Sequence, residues 1–449
     1  MTGPAPAFTH HDRGTAESRW AGAGQWSAVE PLTDLTAPGL SRVVVVAAHP
    51  DDETLGAGGL IRVAADRGLD VHLVLLTAGE ASHPDSPTHT PDRLADLRVE
   101  ESRQALAALA PVARLTVVGI ADGGVEQAHA TALEAVVDAI GEHGGATLVV
   151  APWRRDGHTD HEAAGHIAAL AATRTDATLV EYPIWLWHWG TEDDAPWSRM
   201  RRLDLAPDVA HAKRAALDLH ATQVQPLSDR PGDEVLLDTG VVDHFRRDWE
   251  VFLTAEDGPL DDAFERLHQA EPDPWGVRTR WYEQRKRAVT LAALPRQRFR
   301  RVLEVGCSVG QLATDLAERC DELVALDRSA AAVARCAESL AHLPHARAEQ
   351  ATVPAQWPVG EFDLVVVSEV GYFLSPRELA GLVGRVRDCL APDGVLLLCH
   401  WRHPISGWPL GGDRVHELVG RQVDRPILVQ HVEADFRLDV WGRDPADGA

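Results

Sequence analysis

The chain has 449 residues, enough for two or three domains, and its 45% hydrophobic and 25% charged share is that of an ordinary globular protein. Its 68 acidic residues against 43 basic ones give a formal charge of −25, which argues against nucleic acid or an anionic membrane as partner, because nothing supplies a basic stripe for phosphates. No apolar stretch reaches the ~18 residues of a membrane span, and residues 1–20 lack the basic start and apolar core of a signal peptide, so the expected location is the cytoplasm.

Residues 1–38 read as a flexible lead-in. From residue 39 strand and helix patterns alternate. Strands are expected at 43–48, 71–77, 115–119, 147–152 and 178–182, with helices at about 59–67, 92–109, 131–142 and 161–172. The run VVVVAA (43–48) has no alternation and suits a strand buried on both faces of a parallel sheet. The pattern weakens over 185–231, although 209–222 reads as helical. A boundary follows at TAEDGPLDD (254–262), rich in Gly, Pro and acids, and the alternation then starts afresh. Strands are expected at 301–306, 322–327, 362–370 and 394–400, and helices at 311–319 and 330–341. The expected class is α/β, with two Rossmann-like three-layer domains of mainly parallel sheet, 39–255 and 256–449. The five cysteines (Cys307, Cys320, Cys336, Cys389, Cys399) show no CxxC spacing and read as reduced, mostly buried thiols rather than zinc ligands. Fourteen tryptophans outnumber three tyrosines, and the WLWHW stretch (185–189) suits either an apolar floor for a sugar ring or plain packing.

The first half places two polar clusters just past buried strands, where open α/β sheets bind ligands. HPDDE (49–53) follows the first strand and DGHTDH (156–161) the fourth. Burying His49, Asp51, Asp52 and Glu53 together is costly without a counter-charge, and a divalent cation removes that cost. Two histidines and a carboxylate make a site with an open position, the arrangement of catalytic zinc, and such a cation lowers the pKa of water to about 7. Taken singly, His49 could be a strand-end histidine, and Thr159 or Asp160 a helix cap. The pair of clusters, with Thr77, Gly79 and Glu80 after the second strand and the spacing of Arg98, Glu101, Ala105 and Leu106, resembles the PIG-L/LmbE family of zinc-dependent deacetylases of N-acetylglucosamine-type sugars, over roughly 40–250. The resemblance implies that His49, Asp52 and His161 hold zinc or another divalent metal. It further implies that Asp51 is the general base and that His158 stabilises the oxyanion or protonates the leaving amine, oriented by Asp160. Some members carry a tyrosine two residues before His158, where this chain has Asp156.

In the second half LEVGCSVGQLATDL (303–316) reads as a strand, a tight glycine loop and a helix start, with Asp327 ending the next strand about twenty residues on, placed to take ribose hydroxyls. A dinucleotide fold expects G-x-G-x-x-G for a pyrophosphate. Here Glu304 precedes a loop of Gly306, Cys307 and Gly310, which resembles the class I S-adenosylmethionine-dependent methyltransferases, whose cofactor carries cations in place of phosphates. DPWGVRTRWYEQRKRAVTLAALP (273–295), SEVGYFL (368–374) and HWRHPISGWPL (400–410) make it similar to the NodS-like methyltransferases, which N-methylate a deacetylated amino sugar, over about 265–435. The resemblance implies that Tyr282 and Arg285 fold over the cofactor, that Glu369 and Tyr372 approach the transferable methyl, with Glu369 receiving a proton, and that His400 and Trp401 contact the acceptor.

The expected function is therefore metal-dependent N-deacetylation of an amino sugar or its glycoside, followed by N-methylation of the freed amine. The alternatives are the same two activities on unrelated substrates, including O-methylation, or one half serving as a non-catalytic binding module. The expected partner is the small-molecule substrate; a homo-oligomer is compatible with the reading.

Overall fold

The computed structural model describes residues 14–254, 263–405 and 407–443. The chain divides into two compact units, one ending at residue 260 and one starting at 261. All but the first residue of the expected boundary stretch 254–262 lies outside the described residues.

The first unit holds β1 (Glu30–Pro31), β2 (Arg42–Ala47), β3 (Asp70–Thr77), β4 (Arg114–Ile120), β5 (Thr147–Pro152), β6 (Thr178–Tyr182), β7 (Met200–Asp204) and β8 (Trp249–Thr254). They form one sheet in the order β4-β3-β2-β5-β6-β8-β7-β1. The run β4 to β6 is parallel, and β8 is antiparallel to both its neighbours. Residues 43–47 of β2 have no exposure because helices cover both faces. Val43 and Val45 pack with Leu55, Leu60 and Tyr182 on one side, and Val44 and Val46 with Val136 and Ile167 on the other. From β2 the chain turns to β3 and from β5 to β6, so the sheet order reverses between β2 and β5 and opens a crevice beyond their carboxyl ends.

The helix after β2 runs Asp52–Asp66, starting well before the expected 59. Its glycines mark close packing rather than a break. A Cβ on Gly56 would lie 2.1 Å from Tyr182 Cδ2, and one on Gly59 would lie 2.5 Å from Leu205 Cδ2. Here a buried ion pair enters the helix's own ladder. Glu250 accepts from the N–H groups of Gly59 (2.6 Å) and Leu60 (2.8 Å), while Lys213, 2.7 Å from Glu250, donates to the Leu55 carbonyl.

The described part of the lead-in, from residue 14, is packed rather than loose. Trp20 is fully buried, meets Trp187 edge-on at 5.1 Å and donates to its carbonyl at 2.8 Å. Glu17 accepts from His244 Nδ1 (2.7 Å) and Arg247 Nε (2.7 Å), and the Arg247 guanidinium stacks over Trp187 and Trp249 at 4.5 Å each. The partners lie far along the chain, so no local pattern announced the contact. In the WLWHW stretch Trp187 serves this packing and is 3% exposed.

The second unit holds β9 (Phe299–Val305), β10 (Cys320–Asp327), β11 (Ala346–Gln350), β12 (Phe362–Ser368), β13 (Leu390–Trp401), β14 (Ile427–Val432) and β15 (Phe436–Trp441). Their order is β11-β10-β9-β12-β13-β15-β14, with β15 antiparallel to β13 and β14 and the other pairs parallel. The reversal falls between β9 and β12. β11, the β14–β15 hairpin and the helices Pro376–Cys389 and Gly412–Gly420 lie outside the elements expected from sequence. All five cysteines are buried and free of disulfides. Among the described residues no helix is long and apolar enough to cross a membrane.

Candidate active sites

At the carboxyl end of β2 the chain turns through His49, Pro50 and Asp51 into the helix. Asp51 sits at φ 120°, a strained value for a residue with a side chain. Its N–H is held by Glu53 Oε2 at 3.1 Å. Arg98 clamps the same turn from the helix Pro91–Leu109, donating to the carbonyls of Gly79 (2.6 Å) and Pro50 (3.0 Å) with Nη2 3.7 Å from Asp51 Oδ2. Gly79 leaves room for it, since a Cβ there would lie 2.0 Å from Arg98 Nη1.

Asp52 stands between two histidines. Its Oδ2 accepts from the His49 N–H at 2.8 Å and lies 3.7 Å from His49 Nδ1, while Oδ1 is 3.2 Å from His161 Nε2. His161 comes from the helix Thr159–Thr175 after β5, so the reversal point brings the two clusters together. His158 joins them, its ring centroid 4.9 Å from that of His49 and 4.7 Å from that of His161. Nitrogens of His49, His158 and His161 lie within 4.8 Å of one another, and so do ligand atoms of His49, Asp122 and Asp160.

The structure corrects the expected part of Asp160. Its carboxylate does not orient His158. It lies 3.3 Å from His49 Nε2 and accepts from the N–H groups of Gly123 (2.8 Å) and Val125 (3.3 Å). Only the Asp160 backbone N–H meets His158, at Nδ1 (3.3 Å), because His158 is the helix N-cap. With Nδ1 accepting, a neutral His158 carries its proton on Nε2.

Two further residues escaped the sequence reading. Asp156 accepts from His161 Nδ1 (2.8 Å) and from the N–H groups of Ile184, Trp185 and Leu186 (3.0–3.1 Å), which fixes the His161 ring with Nε2 toward Asp52. It stands within DGHTDH, and that adjacency was the only signal. Asp122, after β4, lies 3.2 Å from His49 Nε2, and nothing in its surroundings marked it.

Burial pushes Asp51 up to about 7, opposed by Arg98 and reinforced by Asp52, and pushes Glu53 up to about 8. Against the pull of burial, Asp122, Asp160 and Asp52 hold His49 well above its ordinary value, and Asp52 with Asp156 holds His161 at about 9. Burial, then the charges of His161 and His49, push His158 down to about 3. Protonated His49 and His161 around Asp52 carry the positive charge that one divalent cation would bring. With imidazole nitrogens and a carboxylate oxygen as donors, His49, Asp52 and His161 fit such an ion.

In the second unit Glu304 is the last residue but one of β9. It is 2% exposed, its Oε2 has no partner, and burial holds it well above its ordinary value. The loop beyond it needs its glycines. Gly306 (φ +87°) would put a Cβ 2.2 Å from Val370 Cγ2, and Gly310 (φ +81°) would put one 3.0 Å from Cys336. Cys307 is buried and contributes its backbone, with its N–H on the Leu326 carbonyl at 2.9 Å. Asp327 ends β10 and accepts from the N–H groups of Ser308 (2.9 Å) and Ser329 (3.0 Å). An orphaned buried carboxyl beside a glycine loop suits a ligand that brings its own ammonium.

Three expected placements here are corrected. Glu369 is not a free proton acceptor. It accepts from Lys286 Nζ (2.6 Å), the Trp401 N–H (3.1 Å) and the Tyr372 hydroxyl, so taking a proton would break an ion pair. Against burial, Glu369 and Glu283 hold Lys286 above its ordinary value. Arg285 does not fold over the cofactor loop. It makes a bidentate pair with Glu433 (2.6 and 2.7 Å) on the exposed face, because the helix Trp281–Ala292 presents Lys286, not Arg285, inward. His400 is not an acceptor contact, being fully buried among backbone and His416. Tyr282 packs edge-on against Trp401 at 5.2 Å, and its buried hydroxyl has no partner.

Residues 44–172 match the family model described as PIG-L, GlcNAc-PI de-N-acetylase, and residues 261–426 match that described as NodS, Nodulation protein S. The chain is 30% identical over 145 residues to diacetylchitobiose deacetylase of Thermococcus kodakarensis, covering 32% of this chain and 52% of that protein. It is 31% identical over 140 residues to Nodulation protein S of Rhizobium tropici, covering 30% and 59%. It thus spans about half of the first relative and three fifths of the second. Among solved structures, the N-methyltransferase NodS from Bradyrhizobium japonicum in complex with S-adenosyl-L-homocysteine aligns at 22% identity with a TM-score of 0.38, covering 40% of this chain and 98% of that one.

Proposed function

We propose that this chain, which joins a PIG-L-family domain to a NodS-family domain, is a bifunctional enzyme that removes the N-acetyl group of an amino sugar or its glycoside and methylates the freed amine. The observation that carries the reading is the convergence of His49, Asp52, His158 and His161, with Asp51 beside them, at the reversal point of the first sheet.

A divalent cation held by His49, Asp52 and His161 supplies the Lewis acidity that makes water nucleophilic near neutral pH. The chain's own groups do the rest. Asp51, clamped by Arg98 and raised to about 7, accepts the proton of the attacking water and returns it to the leaving nitrogen, since an amine leaves only when protonated. His158, neutral and with its proton on Nε2, donates to the carbonyl oxygen as negative charge builds. Asp156 and Asp160 hold the rings of His161 and His49.

In the second unit S-adenosylmethionine supplies the methyl group. Glu304 would hold its ammonium and Asp327 its ribose hydroxyls, and Gly306 and Gly310 would let the backbone come close. Glu369, a fixed anion between Lys286 and Tyr372, stabilises the positive charge that develops on the attacking nitrogen. Order follows from chemistry, because an amide nitrogen shares its lone pair with the carbonyl and only the free amine attacks. With an N-acetyl glycoside, Asp51→Asn should abolish methylation, and supplying the free amine should restore it, read by mass spectrometry. Methylation of the intact N-acetyl compound by that variant would overturn the coupled reading in favour of separate reactions.

A further inference from the structure

We infer that Asp439, His416 and His400 form a buried hydrogen-bonded chain that positions the loop carrying Glu369 and Tyr372, which makes the two histidines positioning residues of the methyl-transfer site. The inference rests on the methyl-transfer reading of this half and adds residues to it.

The chain crosses four elements. Asp439 on β15 accepts from His416 Nδ1 at 2.7 Å through the same oxygen that accepts from Arg437 Nε at 2.9 Å. His416, on the helix Gly412–Gly420, faces His400 Nδ1 with its Nε2 at 3.1 Å. His400, near the end of β13, accepts from the Gly371 N–H at Nε2, 3.0 Å away. All three side chains are buried, with exposures of 0–1%. Burial, with the charges of His416 and Lys286, pulls His400 well below its ordinary range, and burial lowers His416 against the opposing pull of Asp439. The Gly371 N–H on His400 Nε2 leaves that ring its one proton on Nδ1. Only one assignment satisfies every contact. The carboxylate takes the His416 Nδ1 proton, His416 Nε2 takes the His400 Nδ1 proton, and His400 Nε2 takes the Gly371 N–H.

The anchored loop is the one the chemistry needs. Glu369, two residues before Gly371, is held at φ +60° with its N–H on the Cys399 carbonyl, and Tyr372 follows directly. Val370 fills the space that a side chain on Gly306 of the cofactor loop would take. Gly371 itself must be glycine, since a Cβ would lie 2.9 Å from His400 Nε2 and 2.5 Å from Val415 Cγ1. A role in packing alone would be met by apolar side chains. The chain instead keeps Asp439 Oδ1 buried without a partner, a cost that packing does not require.

The test uses the full chain, S-adenosylmethionine and a panel of free-amine glucosamine glycosides. Asp439→Asn in an Arg437→Leu background removes the guanidinium that demands an acceptor at that oxygen and lets the side-chain amide donate to His416 Nδ1, which moves the proton to Nε2, turns His400 around and sets its Nε2–H against the Gly371 N–H. His400→Leu removes the acceptor outright, and His400→Gln restores an acceptor at the Nε2 position. For both disruptive variants kcat for methyl transfer should fall on the order of 10- to 100-fold, as loop misplacement does, with the S-adenosylmethionine Kd unchanged. His400→Gln should recover most of the loss. Imidazole nitrogen NMR should show the assigned tautomers in the parent and their reversal in the Arg437→Leu, Asp439→Asn double variant, with shifts of the Glu369–Tyr372 amides. An active parent whose disruptive variants keep kcat, or lose kcat, cofactor affinity and Tm together without rescue by His400→Gln, overturns the inference. A parent that transfers no methyl yet shows the tautomer reversal and loop shifts supports the positioning chain and refutes the methyl-transfer reading.

Discussion

Both units place their polar residues at the carboxyl edge of a sheet where strand order reverses, between β2 and β5 in one and between β9 and β12 in the other. The two edges solve the burial of acids differently. In the first, Asp52, Asp122, Asp156 and Asp160 each meet a nitrogen of His49 or His161, and those histidines hold protons against them. In the second, Glu304 has an oxygen with no partner, and Asp327 binds only backbone N–H groups. A site whose charges balance internally exchanges protons for a metal ion. A site with an unpaired acid waits for a ligand that carries the missing cation. One architecture thus presents two differently charged edges, and the side chains there decide the difference.

Substitutions at the two edges sharpen the contrast. The largest effect should come from Asp51→Asn, which keeps the metal but lowers hydrolysis by about 10²-fold or more, as loss of a general base does. Deacetylation rates beside metal content by atomic spectroscopy check it, and equal activity would remove Asp51 from its role. Next, Glu304→Gln removes a charge-assisted contact of roughly 1.5–3 kcal/mol, so calorimetry should show S-adenosylmethionine bound about tenfold or more weakly. The same residue has a signature without ligand. Its folded value lies well above the ordinary 4.5, so its contribution to stability is present below that value and is lost as pH rises through the raised one. The cofactor-free protein should show this slope in Tm, and Glu304→Gln should lack it.

Asp156→Asn should weaken metal binding by about 10- to 100-fold, as loss of a group orienting a metal histidine does, measured by competition with a chelating dye. Metal binding should also release protons and weaken as pH falls below the His161 value of about 9, which titration in buffers of different ionisation enthalpy would count. The smallest effect belongs to Arg285→Ala. Its pair with Glu433 is exposed, so cofactor affinity and Tm should stay nearly unchanged. A large loss of affinity would return Arg285 to the cofactor site.

The sequence by itself determined the α/β class, the strands on which both sites are built, and the residues at their ends. Unbroken β-branched runs such as VVVVAA suit strands covered on both faces, and polar residues directly after such a strand fall at the sheet edge. The edge positions of His49, Asp51, Asp52, His158 and His161, and of Glu304, Gly306 and Gly310, were legible for that reason, while the roles expected of them came from resemblance. Tertiary structure alone decided which acid serves which histidine. Asp160 is one residue from His161 and two from His158, yet its carboxylate reaches His49, because the helix cap turns His158 Nδ1 onto a backbone N–H. Asp122, Asp156, Lys286 and the Asp439–His416–His400 chain were likewise invisible as sites. Their partners come from other strands and helices, and hydrogen-bond direction depends on rotamer and register, which no spacing along one chain records. The packing of the lead-in around Trp20 has the same cause. Local pattern reports whether a residue faces a core or an edge, and only the folded contacts report whom it meets there.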